Sequence, residues 1–347
     1  MRRTGWFGPV LCVFAMLAIP VAIAQRHSAQ SAVDLRQHPT GGRTPVEVSL
    51  GLYITNFVSI DETRESFEIG GYLTGRWLDP RLIDAKAPAT RSYRLEDLWT
   101  PAVEAANAIS HRTNQYFLTA DKNGVVTYVE RFEAVLSSDY DLRKFPFDTQ
   151  ELQVEIQPFL SSAPEIRFAP QPLASTGISP EQHTELAAWA FHDLRYSAEK
   201  IAHGPAFAAS NEAFFQLAVK RRPGFYIWKA FLPLLMMTFI PAVAFWIDVS
   251  QFDWVLKIPM TMLLSMVALE FTIARDLPRI GYMTLLDAVF LASFAFCFFC
   301  IVEITFVFLL QLHGRRELAV RLHRMGRWAY PVGYFCLIGL LAVCFLV

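Results

Sequence analysis

Cysteine is missing from the stretch that most often needs it. Of five cysteines, Cys12 stands near the amino end, and Cys297, Cys300, Cys336 and Cys344 fall close to the carboxyl end. The long polar segment between them cannot rest on disulfides, and at roughly 200 residues it can bury enough core without them. Charge is also scarce, at 18% of residues against 53% hydrophobic, which is too apolar for a chain soluble throughout. No basic surplus exists: the formal net charge is -1. Neutralising phosphates takes a basic surface, so no nucleic acid is expected as a partner. His183, His192 and His203 are spaced for neither a metal site nor a catalytic triad. The Cys297–Cys300 pair sits inside an apolar run, which argues against metal or redox chemistry. Neither an enzyme nor a cofactor is expected.

The apolar excess is concentrated after Arg222. Ahead of it, Arg2 and Arg3, an apolar run and Ala22-Ile23-Ala24 read as a secretory signal peptide over residues 1–24. A retained first membrane helix is the alternative. Residues 25–44, with Pro39, Gly41 and Gly42, read as a flexible arm. From 45 to 222 the pattern alternates with period two, as in VEVSLGLYIT, VVTYVERFEAVL and ELQVEIQPF, with turn residues such as Asn123-Gly124 between runs. Short strands of this kind build a sandwich of two sheets. One weak helical stretch, Glu181 to Ala190, interrupts them.

Residues 223–347 hold four apolar spans, at about Phe225–Ile247, Asp253–Ala274, Met283–Leu312 and Trp328–Val347. The linker at 311–327 is strongly basic, with Arg315, Arg316, Arg321, Arg324 and Arg327, and is cytoplasmic by the positive-inside rule. Three crossings then agree with an exported amino-terminal domain. The second span is the odd one. Steps of four and three put Asp253, Lys257, Thr261, Leu264, Ala268, Phe271 and Arg275 on one face, polar at its first end and apolar further along. Such a face suits water better than lipid, and several copies around an axis would enclose a pore. A buried helix that tolerates polar groups is the other reading. Pro259 predicts a kink, or a helix that starts later than Asp253.

Taken in order, several short motifs carry a resemblance: Trp77, Trp99-Thr100-Pro101, Tyr128-Val129-Glu130-Arg131-Phe132, Leu142-Arg143-Lys144-Phe145-Pro146-Phe147-Asp148-Thr149-Gln150, Arg222, Pro233, and Leu277-Pro278-Arg279 with Tyr282. With four spans behind a signal peptide, the chain resembles the pentameric ligand-gated ion channels, the Cys-loop receptor family. It is similar to the prokaryotic branch that lacks the loop's cysteines, and nearest in pattern to amine-responsive members. The resemblance implies an all-β extracellular immunoglobulin-like sandwich followed by an all-α four-helix transmembrane domain. It further implies a homopentamer in a bacterial inner membrane, with the amino-terminal domain outside, the second span lining the pore, permeant monovalent ions, and a small extracellular ligand.

By the same resemblance Tyr72, Glu104, Asn107, Phe159, Tyr196 and Phe214 are the ligand-binding positions. Aromatic faces attract ammonium groups, but Gln157 stands where an acid is expected beside such a cage, which weakens the case for a primary amine. Protons are the alternative trigger. Asp148, Arg222 and Pro278 would couple sandwich to membrane domain, with Asp148 and Arg222 as a buried ion pair. Leu264, with Ala268 and Phe271 above it, would form the apolar gate. An Asp253 ring favours cations, and a Lys257 ring one turn above opposes them unless the pair neutralises itself, crowding discharges the lysine or its stem turns aside. A cation-selective pore is expected, with an anion-selective one as the alternative. A membrane-anchored sensor that passes no ions would need no polar stripe, and a transporter would show inverted repeats or broken helices.

Overall fold

The computed structural model describes residues 34–159, 165–179, 187–202, 209–248 and 251–346. The expected signal peptide and residues 25–33 of the expected arm lie outside them, and residues 34–44 of the arm are described.

Eleven strands make two sheets among the described residues: β1 Val46–Asp61, β2 Ser66–Ile83, β3 Thr90–Tyr93, β4 Val103–Ala105, β5 Ala108–Asp121, β6 Asn123–Ser137, β7 Thr149–Pro158, β8 Ile166–Phe168, β9 Gly177–Ile178, β10 Trp189–Ile201 and β11 Ser210–Arg221. One sheet runs β3-β5-β6-β2-β1-β8, with β9 also on β1; the other runs β10-β11-β7-β4. The alternation in the sequence becomes the inner faces. Val46, Val48, Leu50, Leu52 and Ile54 of β1 are buried, as are Ala213, Phe215, Leu217 and Val219 of β11. Of the expected helical stretch Glu181–Ala190, residues 181–186 lie outside the described part, and Trp189 and Ala190 open β10 instead.

Four helical spans follow: α1 Gly224–Trp246, α2 Phe252–Ile273, α3 Leu285–Leu312 and α4 Arg316–Leu346, each long and apolar enough to cross a membrane. In α1 a widened π turn at Ile227–Phe231 precedes Pro233, and a tightened 3₁₀ stretch at Ile240–Trp246 has Pro241 as its second residue. Each proline lacks an N–H and crowds the carbonyl four residues back, so the regular ladder changes pitch there. By contrast α2 runs through Pro259 and has Asp253 in its first turn, so the later start is not what occurs. Thr284 and Asp287 form a reciprocal capping box that opens α3. The basic stretch from Arg316 to Arg327, part of the expected linker at 311–327, is helical. It forms the first turns of α4, continuous with the fourth span.

Thiols and one glycine bind the helices to one another. Cys297 donates to the Pro259 carbonyl at 3.1 Å, and Cys300 lies 3.6 Å from that of Pro241, which accounts for the pair without metal. Where α1 turns into 3₁₀, the Tyr330 hydroxyl of α4 donates to the Thr238 carbonyl at 2.8 Å. Gly326 lets α4 approach α1, because a Cβ there would stand 2.7 Å from the buried Phe245 ring. Gly326→Ala should therefore destabilise the protein by about 1–3 kcal/mol. Gly339→Ala, with nothing within 4 Å, should be neutral or slightly stabilising through helix propensity. Thermal unfolding midpoints of the two variants in detergent give the comparison, and equal midpoints would remove Gly326 as a packing constraint.

Candidate functional site

Where sandwich meets helices, Asp148 and Arg221 extend the β7–β11 pairing by one step. Arg221 N–H donates to the Asp148 carbonyl at 3.1 Å, beyond the last registered pair, Lys220 opposite Thr149. Their side chains then face each other across the strands. Arg221 Nε donates to Asp148 Oδ1 at 2.8 Å, and Nη1 to Glu62 Oε1 at 2.6 Å. The guanidinium also lies 4.2 Å from the Trp189 ring centroid and 4.7 Å from that of Phe145. Burial opposes its charge, but the bonds and charges of Asp148 and Glu62 outweigh that and hold its pKa above the ordinary value.

This corrects the expected partner. Arg222 is exposed, and Arg221 holds Asp148. Successive strand residues point to opposite faces, and the buried phase 213, 215, 217, 219 of β11 leads to 221. That phase was readable in FFQLAVKRR. Glu62, on the β1–β2 turn, had no local signal. The contact with the loop after α2 also falls elsewhere than expected. Tyr282 Oη accepts from Leu142 N–H at 3.0 Å and donates to the Tyr140 carbonyl, and Leu285 N–H donates to the Arg143 carbonyl at 2.9 Å. Pro278 is half-buried and lines a small gap beside Glu270 and Asp287 between α2 and α3.

The six expected ligand positions separate into groups. Glu104, Phe159 and Phe214 lie on the β10-β11-β7-β4 sheet or at its edge. Glu104 accepts from Gln157 Nε2 at 2.9 Å, Phe159 is 51% exposed, and Phe214 is buried opposite Glu155. Tyr72 is on the other sheet, on its outer face between Tyr53 and Arg131. The outer faces of the two sheets point apart, so within one chain Tyr72 and Phe159 do not share a site. Two positions have structural duties. The Asn107 amide donates to the Ser137 and Gln153 carbonyls and accepts from Glu155 N–H, stapling one sheet to the other. The Tyr196 hydroxyl donates to the Ala169 carbonyl at 2.9 Å, and burial pushes its pKa up to about 12. Burial, then the charges of Glu212 and Asp139, raises the Glu155 pKa above the usual carboxylate value.

On α2, Asp253, Lys257, Thr261, Leu264, Ala268 and Phe271 are all exposed, as is Arg275 in the 3₁₀ turn just after it, and Val255, Pro259 and Met266 are buried against the other helices. Leu264 is 72% and Phe271 69% exposed. The hydroxyls of Thr261 and Thr272 donate back to the carbonyls of Lys257 and Ala268, which leaves their oxygens as acceptors on that face. No ion pair joins Asp253 to Lys257 among the described residues. The Lys257 ammonium lies 5.8 Å from the Trp254 ring centroid. α4 is as little buried as α2, yet its exposed residues Val332, Phe335, Leu340 and Val343 are apolar.

The family model for the neurotransmitter-gated ion-channel ligand binding domain matches residues 28–223, more than half of the chain. The chain belongs to the pentameric ligand-gated ion channel family. It is 24% identical over 292 residues to the proton-gated ion channel of Gloeobacter violaceus, covering 83% of this chain and 80% of that one. It is 28% identical over 288 residues to the human glycine receptor subunit beta, covering 78% and 56%. To the chicken gamma-aminobutyric acid receptor subunit beta-4 it is 25% identical over 286 residues, covering 79% and 57%. The chain thus spans most of the prokaryotic channel and a little over half the length of the receptor subunits. Family members are ion channels and not enzymes, and the β-sandwich followed by four apolar helices is the family's layout.

Removing one partner of the buried pair leaves an uncompensated charge. Arg221→Gln should cost about 3–5 kcal/mol, and Arg222→Gln, at an exposed position, no more than about 0.5 kcal/mol. Denaturant midpoints followed by tryptophan fluorescence read the difference. A larger loss at Arg222 would contradict the assignment.

Proposed function

We propose that this chain is the subunit of a homopentameric ligand-gated channel with α2 lining a cation-selective pore. The polar, outward face of α2 carries this reading. Lipid around it would set the Lys257 ammonium and the Thr261 hydroxyl against hydrocarbon within the span, where a charged group costs up to roughly 2.5–3.5 kcal/mol at the helix centre and less toward the ends. Around an axis the same groups face water, and exposed Leu264 and Phe271 form apolar constrictions that gate by dewetting. The apolar exposed face of α4 suits lipid. For selectivity, the position of the Lys257 ammonium beside Trp254 supports a stem turned aside, which leaves the Asp253 ring to set the sign. The basic turns of α4 support a cytoplasmic end there, and a bacterial inner membrane with the sandwich outside is part of the proposal.

In a salt gradient the reversal potential of the reconstituted protein should follow the cation. Asp253→Asn should weaken that preference, and Lys257→Gln should raise cation conductance by lowering a short-range barrier. A wild-type potential that follows chloride, with the preference lost in Lys257→Gln, would make the lysine ring the filter.

The agonist site belongs to the boundary between copies, with Phe159 and Glu104 of one subunit meeting Tyr72 of the next. Opposite-facing sheets support this, because only a second copy joins these side chains. Acid sites beside exposed aromatics favour a small cationic amine. A second reading, gating by protons, is supported by Glu155, whose raised pKa makes it take up a proton at milder acidity than an ordinary carboxyl. One relative is named for that trigger. Tyr72→Ala and Phe159→Ala should each raise the half-activating amine concentration roughly 2- to 30-fold without altering unitary conductance. Normal amine responses in both, with an acid response that Glu155→Gln displaces, would favour protons.

A further inference from the structure

Trp254, the third residue of α2, is 72% exposed, as much as Leu264. An α-helix turns about 100° per residue. Seen down the helix, Asp253 therefore stands about 40° to one side of Lys257 and Trp254 about 60° to the other, each roughly one turn nearer the first end. The four-carbon stem of a lysine reaches either side, and its ammonium cannot serve both at once. On the Asp253 side lies an i,i+4 ion pair in the favourable order. Among the described residues that pair does not form, and the ammonium lies 5.8 Å from the Trp254 ring centroid instead. Tryptophan offers a cation the strongest of the aromatic faces, and at an exposed site such a contact is worth more than an i,i+4 ion pair.

The side the ammonium takes decides what an ion meets along this wall. One turn beyond Lys257, the Thr261 hydroxyl donates back to the Lys257 carbonyl at 2.8 Å, so its oxygen is left as an acceptor. Asp253 supplies carboxylate acceptors one turn before. Lys257 is the one charged residue between them. With its ammonium on Trp254, the two acceptor levels follow each other and Asp253 keeps its full charge. With the ammonium on Asp253, the carboxylates are neutralised.

We propose that Trp254 is a positioning residue for charge selectivity: its indole face holds the Lys257 ammonium off the axis and away from Asp253, and the pore prefers cations because of it. The proposal rests on α2 lining the pore. An exposed tryptophan near the end of a span also serves as an anchor at the boundary between headgroups and hydrocarbon. The two roles differ in whether the effect of the ring depends on Lys257.

The test records reversal potential and unitary conductance in a salt gradient from the reconstituted full-length protein, opened with propylamine or with acid. Trp254→Leu should move the reversal potential toward zero and lower unitary cation conductance roughly 2- to 5-fold, the factor that one exposed cation–π contact supplies. Trp254→Phe should keep most of both. In Lys257→Gln, where no ammonium is left to hold, adding Trp254→Leu should change neither. Graded fluorination of the indole at position 254 weakens its face at nearly constant shape and should lower conductance step by step, which also covers a Trp254→Leu variant that fails to assemble. Equal values in wild type and Trp254→Leu, a conductance indifferent to fluorination, or a Trp254→Leu effect that persists in Lys257→Gln overturns the positioning role and leaves the pore reading standing. A wild-type potential that follows chloride also overturns it. If Lys257→Gln alone changes neither readout, α2 is not the ion path and both fall.

Discussion

The buried guanidinium of Arg221 is the constraint on which the joint between the two domains depends. It is the last residue of β11, and α1 begins three residues later at Gly224. Asp148 and Glu62 neutralise it, and Trp189, Phe145 and Tyr226 surround it. An ion this deeply buried is tolerated only with good geometry and its donors filled. The end of β11, the loop 142–148 before β7, the β1–β2 turn and the start of α1 are therefore held in one arrangement. Phe145 packs on Tyr226 at 4.6 Å, and Tyr282 and Leu285 bond to the loop backbone. The sandwich core and the nearer ends of the helices form one continuous apolar cluster. A rearrangement in the sandwich reaches α1 and the α2–α3 connection through these few contacts, which is the physical route a ligand-driven opening would use.

In the membrane domain, two helices expose about equal fractions of themselves. On α2 the exposed stripe is charged and hydroxylic from Asp253 to Thr261 and apolar from Leu264 to Phe271, and on α4 it is apolar beyond its basic first turns. Burial within one chain does not distinguish them. The solvent each can tolerate does, because an unpaired charge in hydrocarbon is costly and an apolar side chain there is not. The same reasoning separates the two ends of α4, where arginines and tryptophans at one end give way to aliphatic residues along the rest.

The expected ligand positions serve different ends. Asn107 and Tyr196 spend their polar atoms on backbone carbonyls and an amide, so their part is to hold the frame. Phe159 and Tyr72 have exposed rings, on faces that point apart. Within one chain these two rings therefore do not meet.

Much of this protein is legible in its sequence. Period-two alternation fixes which strand residues face inward, because side chains alternate across a pleat, and apolar runs of about 20 residues mark the spans, because a bilayer sets that length. The polar stripe of α2 follows from helical spacing alone. Tertiary structure decided what depends on partners far along the chain. Glu62 reaches Arg221 across 159 residues, and Asn107 joins strands 30 and 46 residues away. Local pattern also left the basic stretch before the fourth span as a linker, whereas packing of Ala319, His323 and Gly326 against α1 and α3 makes it helix. Sequence determines the periodicity of each segment through local sterics and burial; which charge meets which is settled only when the strands and helices are brought together.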